Sequence, residues 1–336
     1  MQHTTIDGVH LRLARPVELD SPWVGRSDLM QQLLAAWLVV DPADQPLNPR
    51  LLGKPGVGKT SLAYAAAAHL ARPVYLMQAT MDTRPEDLVI TPVVGGGGKL
   101  DYVASPLVSA ALVGGICILD EGNRMSEKAW ASLAPLLDHR RYVESVVTGV
   151  RIQAHESFRM CATMNEDAST FDLPEYIHSR LQPQIYIDFP DEEEERLILR
   201  RNLPFADEKV LAHVVAFLRR AHAAGESFTV RDGINVARYA IKRQVQADRS
   251  GPSGTGGGRT QEKSDVRGRQ KKSETGAGQN TSATHGGQKK SEARRAKKNN
   301  EMGEPDGLVL EAVIAILGDQ ATPYLGGAGP RLGPRG

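Results

Sequence analysis

The chain has 336 residues, 40% of them hydrophobic and 24% charged, enough apolar material for one large or two modest domains. The formal net charge of +1 conceals an asymmetry. Residues 249–305 carry 13 Lys and Arg against 6 Asp and Glu, which leaves the rest at 28 against 34. The N-terminus has no charged region followed by an apolar run, and the longest uncharged apolar segment, residues 107–119, is too short to span a bilayer. A soluble, cytoplasmic protein with no membrane partner is the expectation.

Residues 1–22 are mixed in character, and Pro16 and Pro22 argue against a long regular element. Beyond Val24-Gly25-Arg26, the residues Leu29, Leu33, Ala36 and Trp37 recur at helical spacing behind Ser27, which predicts a capped amphipathic helix. Arg50-Leu51-Leu52 then ends a short strand, followed by Gly53-Lys54-Pro55-Gly56-Val57-Gly58-Lys59-Thr60, a match to G-x-x-x-x-G-K-[ST]. Glycines there let backbone N–H groups close around phosphates. Lys59 would reach the β- and γ-phosphates, Thr60 offers a hydroxyl oxygen suited to Mg²⁺, and a helix opening at Ser61 points its positive end at the anion.

Residues 73–77 read as a buried strand, so strand, loop, helix, strand begins a parallel α/β sheet. The run Gly95-Gly96-Gly97-Gly98 breaks all periodicity and predicts a loop, either merely mobile or a pore loop that touches a substrate. Gly115-Ile116-Cys117-Ile118-Leu119 leads into Asp120-Glu121. A strand buried on both faces cannot hold acids mid-run, so both carboxylates must emerge at its C-terminal edge, where α/β sheets bind ligands. There Asp120 is placed to hold Mg²⁺ and Glu121 to orient and deprotonate water, unless the two merely begin the next helix.

Trp130, Leu133 and Leu137 predict a helix over residues 126–138 with Pro135 bending it, and residues 141–144 and 149–152 suggest a hairpin. Residues 158–165 form another apolar strand that ends in Asn165, which either bonds the γ-phosphate or its water, or simply closes the strand. Residues 185–190 look like the last strand. From 191 to 247 the pattern is helical and predicts a separate small helical domain. Residues 249–305 have no aromatic side chain and are expected to be disordered, inserted between two helices because residues 307–317 return to a helical pattern. Cys117 and Cys161, each within an apolar run, read as packing residues.

In order, residues 53–60, 116–121, 163–165 and 179–180 resemble the AAA+ ATPases, and specifically the MoxR-like branch of ring chaperones. Leu119-Asp120-Glu121-Gly122-Asn123-Arg124 resembles that branch's LDE-x-NR run and Ala162-Thr163-Met164-Asn165 its ATMN strand end. The resemblance covers residues 20–247 and 307–325. It implies an α/β fold, a P-loop parallel sheet flanked by helices with a small helical lid. The corresponding division is an arm over 1–22, a core over 23–190, a lid over 191–248 and 306–326, and the basic insertion between.

By that resemblance ATP and Mg²⁺ are the cofactors. Gly53, Pro55, Gly56, Val57, Gly58, Lys59, Thr60 and Ser61 are Walker A, Asp120 and Glu121 are Walker B, and Asn165 is sensor 1. Arg180 is the arginine finger offered to a neighbouring subunit, and Arg231 the lid's sensor 2. The residues alone leave Arg180 open as a surface ion pair and Arg231 as an ordinary first-turn arginine. The expected function is an ATP-hydrolysing ring, a homo-oligomer and specifically a hexamer, that remodels or activates a protein partner, with a von Willebrand A domain protein implied by the branch. Two alternatives are a nucleic-acid-directed motor or GTP-driven restriction component, and a small-molecule phosphotransferase. The basic insertion lacks the aromatics that stack on single strands, and a kinase gains nothing from a residue that activates water. The four-glycine run and the insertion depart from the branch pattern.

Overall fold

The structure, a computed structural model, describes residues 2–18, 23–95, 98–166, 172–250 and 307–326. Two N-terminal strands, β1 (His3–Ile6) and β2 (Val9–Arg12), precede helix α1 (Ser27–Trp37). The core then runs β3 (Arg50–Gly53), α2 (Lys59–His69), β4 (Val74–Gln78), the hairpin β5 (Ile90–Val94) and β6 (Leu100–Ala104), α3 (Pro106–Val113), β7 (Ile116–Asp120) and α4 (Glu127–Leu133). A second hairpin of β8 (Tyr142–Glu144) and β9 (Arg151–Gln153) follows, then β10 (Arg159–Asn165), α5 (Glu175–His178) and β11 (Gln184–Tyr186). Helices α6 (Glu192–Asn202), α7 (Glu208–Ala223), α8 (Val230–Ser250) and α9 (Gly307–Leu317) follow, with a short 3-10 turn over Asp319–Leu325 after them.

Five strands form one parallel sheet in the order β11-β3-β10-β7-β4. All seven residues of β10 are buried, as expected of a central strand covered on both faces. One face packs Leu119, Trp130, Phe158 and Met160, while the other packs Leu51, Leu62, Ile118 and Cys161. Each large side chain so buried contributes about 1.5–3 kcal/mol relative to exposure. Cys117 and Cys161 are free and buried within these layers, and burial pushes both thiols up in pKa.

Register decides where the site falls. Asn165 lies opposite Gly53 and Gln78 opposite Asp120, so the C-terminal ends of β3, β4, β7 and β10 come to one edge of the sheet. Gly53 turns there at φ 148, and a Cβ on it would overlap the Ile187 carbonyl oxygen. Gly58, at φ 100, is the left-handed cap from which α2 starts.

Several expectations need correction. As expected, the described part of residues 1–22 holds no long element, but its two four-residue strands β1 and β2 join the β5–β6 hairpin in a second sheet ordered β1-β2-β6-β5, with Leu11 and Leu13 in the core. Helix α1 has Arg26 rather than Ser27 at its cap position and no side-chain cap bond. Pro135 does not bend α4, because that helix has already stopped at Leu133. Helix α2 begins at Lys59, two residues before Ser61. The 141–152 hairpin does form, as β8 and β9. Of the four-glycine run, Gly95 and Gly98 lie between β5 and β6, while Gly96 and Gly97 fall outside the described residues.

Helices α6 to α9 enclose their own core of Leu199, Val214, Phe217, Leu218, Val236 and Val313. Asp191 opens α6 with a reciprocal capping box to Glu194. Helix α9 packs along α8. Residues 249 and 250 end α8; the remainder of the expected basic insertion lies outside the described residues.

The close approach at Gly53 gives a direct prediction. Gly53→Ala should lower stability by about 2–4 kcal/mol through left-handed strain and backbone overlap, measured by urea unfolding without nucleotide, whereas a control Gly149→Ala, with open space around it, should lose only the strain part.

Candidate nucleotide site

A cleft of about 300 Å³ opens at the C-terminal edge of the sheet. Its floor is the loop and first turn of α2: Pro55, Gly56, Val57, Gly58, Lys59, Thr60 and Ser61. Asp120, Glu121, Thr163 and Asn165 form one wall, and Arg231 at the start of α8 joins it from the helical segment. Of the sequence-predicted residues, two stand outside the lining. Gly53 sits behind the loop, and Arg180 lies elsewhere on the core.

Lys59 is buried, and its Nζ donates to the carbonyls of Gly53 and Lys54, each at 2.8 Å. Burial pulls this ammonium down to about 8, with Asp120, Glu121 and Glu166 opposing and Arg231 adding to the fall. A desolvated cation bound only to neutral carbonyls is poised for an anion. Thr60 Oγ1 donates to Asp120 Oδ1 at 2.7 Å, and Thr163 Oγ1 donates to the same oxygen at 2.5 Å. Asp120 is thereby locked between the phosphate loop and the neighbouring strand.

Glu121 adopts φ 55, a left-handed conformation that a side chain bearing a Cβ enters at a cost of about 1–2 kcal/mol. Its N–H donates to Thr163 Oγ1 at 3.0 Å, which fixes the turn. Both carboxylate oxygens are engaged: Oε1 accepts from Asn165 Nδ2 at 3.0 Å, and Oε2 accepts from Gln78 Nε2 at 3.1 Å and pairs with Arg124 Nε at 2.7 Å. Asn165 is itself held by Asn123, whose Nδ2 donates to the Asn165 carbonyl at 2.8 Å while its Oδ1 accepts the Asn165 N–H at 3.3 Å. Gln78, Asn123, Arg124 and Thr163 are the contributors that sequence reasoning left unassigned. Three of them were visible inside the quoted LDE-x-NR and ATMN runs; Gln78 had no signal beyond ending a strand.

Arg180 donates from Nη1 to the Tyr176 carbonyl at 2.6 Å and lies 3.5 Å from Asp138. Asp138 also binds Arg140, and these bonds hold its carboxyl down at about 2. Trp23, from the segment before α1, covers the phosphate loop: Gly25 and Gly58 are the positions where a Cβ would strike its ring. Ile187, Phe189, Pro190, Ile198 and Ile234 make the cleft's remaining apolar wall.

A phosphate loop facing a strand-end Asp-Glu pair across a parallel sheet defines a P-loop nucleoside-triphosphatase core. Residues 50–181 match the family described as AAA domain (dynein-related subfamily). The chain is 34% identical over 115 residues to Protein NorQ of Paracoccus denitrificans, an overlap of 34% of this chain and 42% of that one. It is 27% identical over 181 residues to Chaperone MoxR1 of Mycobacterium tuberculosis, 53% of this chain and 44% of that one. With the mouse von Willebrand factor A domain-containing protein 8 it shares 26% identity over 216 residues, 57% of this chain and 11% of that one. The matches span less than half the length of each of these three relatives. Residues 50–181 are thus similar to AAA domains, with relatives named as MoxR proteins among those that share them, and a P-loop fold of this kind implies nucleotide binding. Among the described residues no helix is long and apolar enough to cross a membrane.

The depressed Lys59 predicts proton uptake on binding. Below about pH 8 the ammonium is already charged and nucleotide affinity should be flat with respect to this group; above it, each binding event should draw a proton onto Lys59 and affinity should fall. Calorimetry in two buffers of different ionisation enthalpy reads this uptake directly, and Lys59→Arg, always charged, should abolish it.

Proposed function

We propose that the cleft holds ATP with Mg²⁺ and hydrolyses it, and that the cycle of binding and hydrolysis is used by a ring of subunits to remodel or activate another protein. The arrangement that carries this reading is the Thr60–Asp120 bond beside the doubly held Glu121. The oxygens of Thr60 and Asp120 are hard donors 2.7 Å apart, and among the described residues no group of three or more His, Cys, Asp or Glu is placed to hold a metal ion. That donor set fits Mg²⁺, which takes one or two protein oxygens and fills its shell with phosphate and water. When bound, the ion would neutralise charge on the phosphate oxygens.

In this proposal the Gly53–Ser61 loop, Pro55, Gly56, Val57 and Gly58 included, wraps the phosphates with backbone N–H groups, and Lys59 leaves its two carbonyls to reach them. Glu121 takes the proton of the attacking water, which requires one of its present partners to yield an oxygen. Asn165 orients that water. Arg231, on the lid face of the cleft, is assigned to the phosphates in cis.

Arg180 is assigned a role in trans. Its guanidinium lies outside its own cleft, so it cannot act on its own nucleotide, and a role in trans requires Asp138 or the Tyr176 carbonyl to release it. A homo-oligomer, by the family's habit a hexamer, follows from this assignment. We further propose the division into a core over 23–190 and a lid over 191–248 and 306–326. Support for protein remodelling comes from the relative described as a chaperone. For a von Willebrand A domain partner it comes from the relative in which such a domain shares a chain with a segment like this one.

Two substitutions separate binding from chemistry. Lys59→Ala should abolish retention of ATP, whereas Glu121→Gln should retain it with hydrolysis reduced by at least about a hundredfold; equal loss of retention in both would contradict the division of roles. Arg180→Ala subunits mixed with Lys59→Ala subunits should recover phosphate release at interfaces that pair an intact finger with an intact cleft. No recovery across mixing ratios, in rings shown by native mass spectrometry to be mixed, would contradict the assignment in trans.

A further inference from the structure

Glu195 sits in α6 with no exposed surface, and neither of its carboxyl oxygens has a hydrogen bond among the described residues. Its nearest neighbours are His222 of α7, with Nδ1 at 3.4 Å from Oε1, and Arg219, with Nη1 at 3.8 Å. An ionised carboxylate in that position loses its hydration for little in return.

His222 is committed at its other nitrogen. Nε2 lies 2.5 Å from the Phe228 carbonyl oxygen, which can only accept, so Nε2 carries a proton. In the neutral imidazole Nδ1 is then an acceptor. Two facing acceptors 3.4 Å apart repel, so one of the pair carries a proton, and burial, which opposes charge on both groups, favours the uncharged arrangement with the proton on Glu195. Burial pushes Glu195 up to about 8, opposed by Arg219 and helped by Glu192 and Asp191 of its own first turn. Burial pushes His222 down, with Arg219 and Lys54 adding to the fall and the Phe228 bond and Asp188 opposing it.

The pair is joined to the nucleotide cleft. The His222 ring stacks on Phe189, centroids 3.9 Å apart and planes 17° from parallel, and Phe189 lines the cleft. Lys54 of the phosphate loop places Nζ 4.8 Å from the Phe189 ring centroid and donates to Ser227 Oγ at 3.2 Å. Arg219 donates to the Pro190 carbonyl at 3.0 Å. The carbonyl of Lys54 is one of the two that receive Lys59. A continuous set of contacts thus runs from a buried acid, through an aromatic stack, to the loop that holds the phosphates.

We propose that Glu195 and His222 are positioning residues for nucleotide binding: the uncharged pair keeps Phe189 stacked and the helical segment seated on the phosphate loop, and ionisation of Glu195 loosens that seat and weakens nucleotide retention. A charged Glu195 would draw Arg219 off the Pro190 carbonyl, its nearest compensation. The sign follows from linkage. A carboxyl whose pKa in the folded chain stands above the ordinary value near 4.5 contributes stability that is present below that value and lost as pH rises through about 8. Nucleotide retention should decline over the upper part of that window.

The inference rests on the cleft holding a nucleoside triphosphate, and the test separates the two. The full chain is titrated with a fluorescent non-hydrolysable ATP analogue and Mg²⁺ at about pH 7 and about pH 9, beside Glu195→Gln. The amide keeps the shape and a donor toward His222 Nδ1 but cannot ionise. Lys59 titrates in the same range in both proteins, so the difference between them isolates the pair. We expect the wild-type dissociation constant to rise on the order of fivefold more than that of the variant, at the low end of typical coupling between sites. A pair with a merely structural role would change the pH dependence of the thermal midpoint and leave the binding profiles superimposed; that outcome overturns the inference. No binding at any pH would instead overturn the nucleotide reading. Phe189→Leu, at a half-buried position, supplies a second arm: it should flatten the binding profile while the pair's effect on the thermal midpoint persists, and an unchanged binding profile again overturns the inference.

Discussion

The site depends on one short bond, from the Thr60 hydroxyl to the Asp120 carboxylate. It ties the first turn of α2 to the end of β7, two elements sixty residues apart in the chain, and Thr163 of β10 closes on the same oxygen. Two strands and a helix therefore meet at a single carboxylate. Sheet register makes the meeting possible, since a one-residue slip of β10 against β7 would turn Thr163 away from Asp120 and Asn165 away from Glu121. The hydrophobic layers on both faces of the sheet oppose that slip.

Around this bond the structure holds ionisable groups in places where burial or backbone strain opposes their ordinary state. Lys59 is desolvated and bound to carbonyls, Glu121 is strained and triply bound, and Glu195 is buried beside a histidine. Each arrangement is of the kind found at functional sites, where an unfavourable environment shifts a group's affinity for protons or ligands. The first two groups face the cleft directly. The third reaches it through Phe189, so the helical segment is part of the site's electrostatics as well as one of its walls.

The phosphate loop and the acidic strand end were legible because each has a local cause. Glycines at 53, 56 and 58 are required by left-handed or crowded backbone, and two carboxylates cannot lie inside a strand buried on both faces. The β8–β9 hairpin was legible for the same reason, as two short strands around a turn. What escaped was non-local. Nothing in residues 3–12 announces that they will extend a sheet with residues 90–104, and α4 stops at Leu133 rather than bending through Pro135. Trp23 over the loop, Asp138 beside Arg180 and Glu195 beside His222 are partnerships fixed by the fold, and no spacing in the sequence encodes them.

The central claim is that a nucleoside triphosphate displaces the internal bonds now closing the cleft. A structure determined with a non-hydrolysable ATP analogue and Mg²⁺ tests it most directly. The account predicts phosphates over residues 53–60, with Lys59 Nζ transferred from the Gly53 and Lys54 carbonyls to phosphate oxygens and the Thr60–Asp120 bond opened to admit the ion. A nucleotide bound elsewhere, or bound there with Lys59 still on its carbonyls and Thr60 still on Asp120, would contradict it.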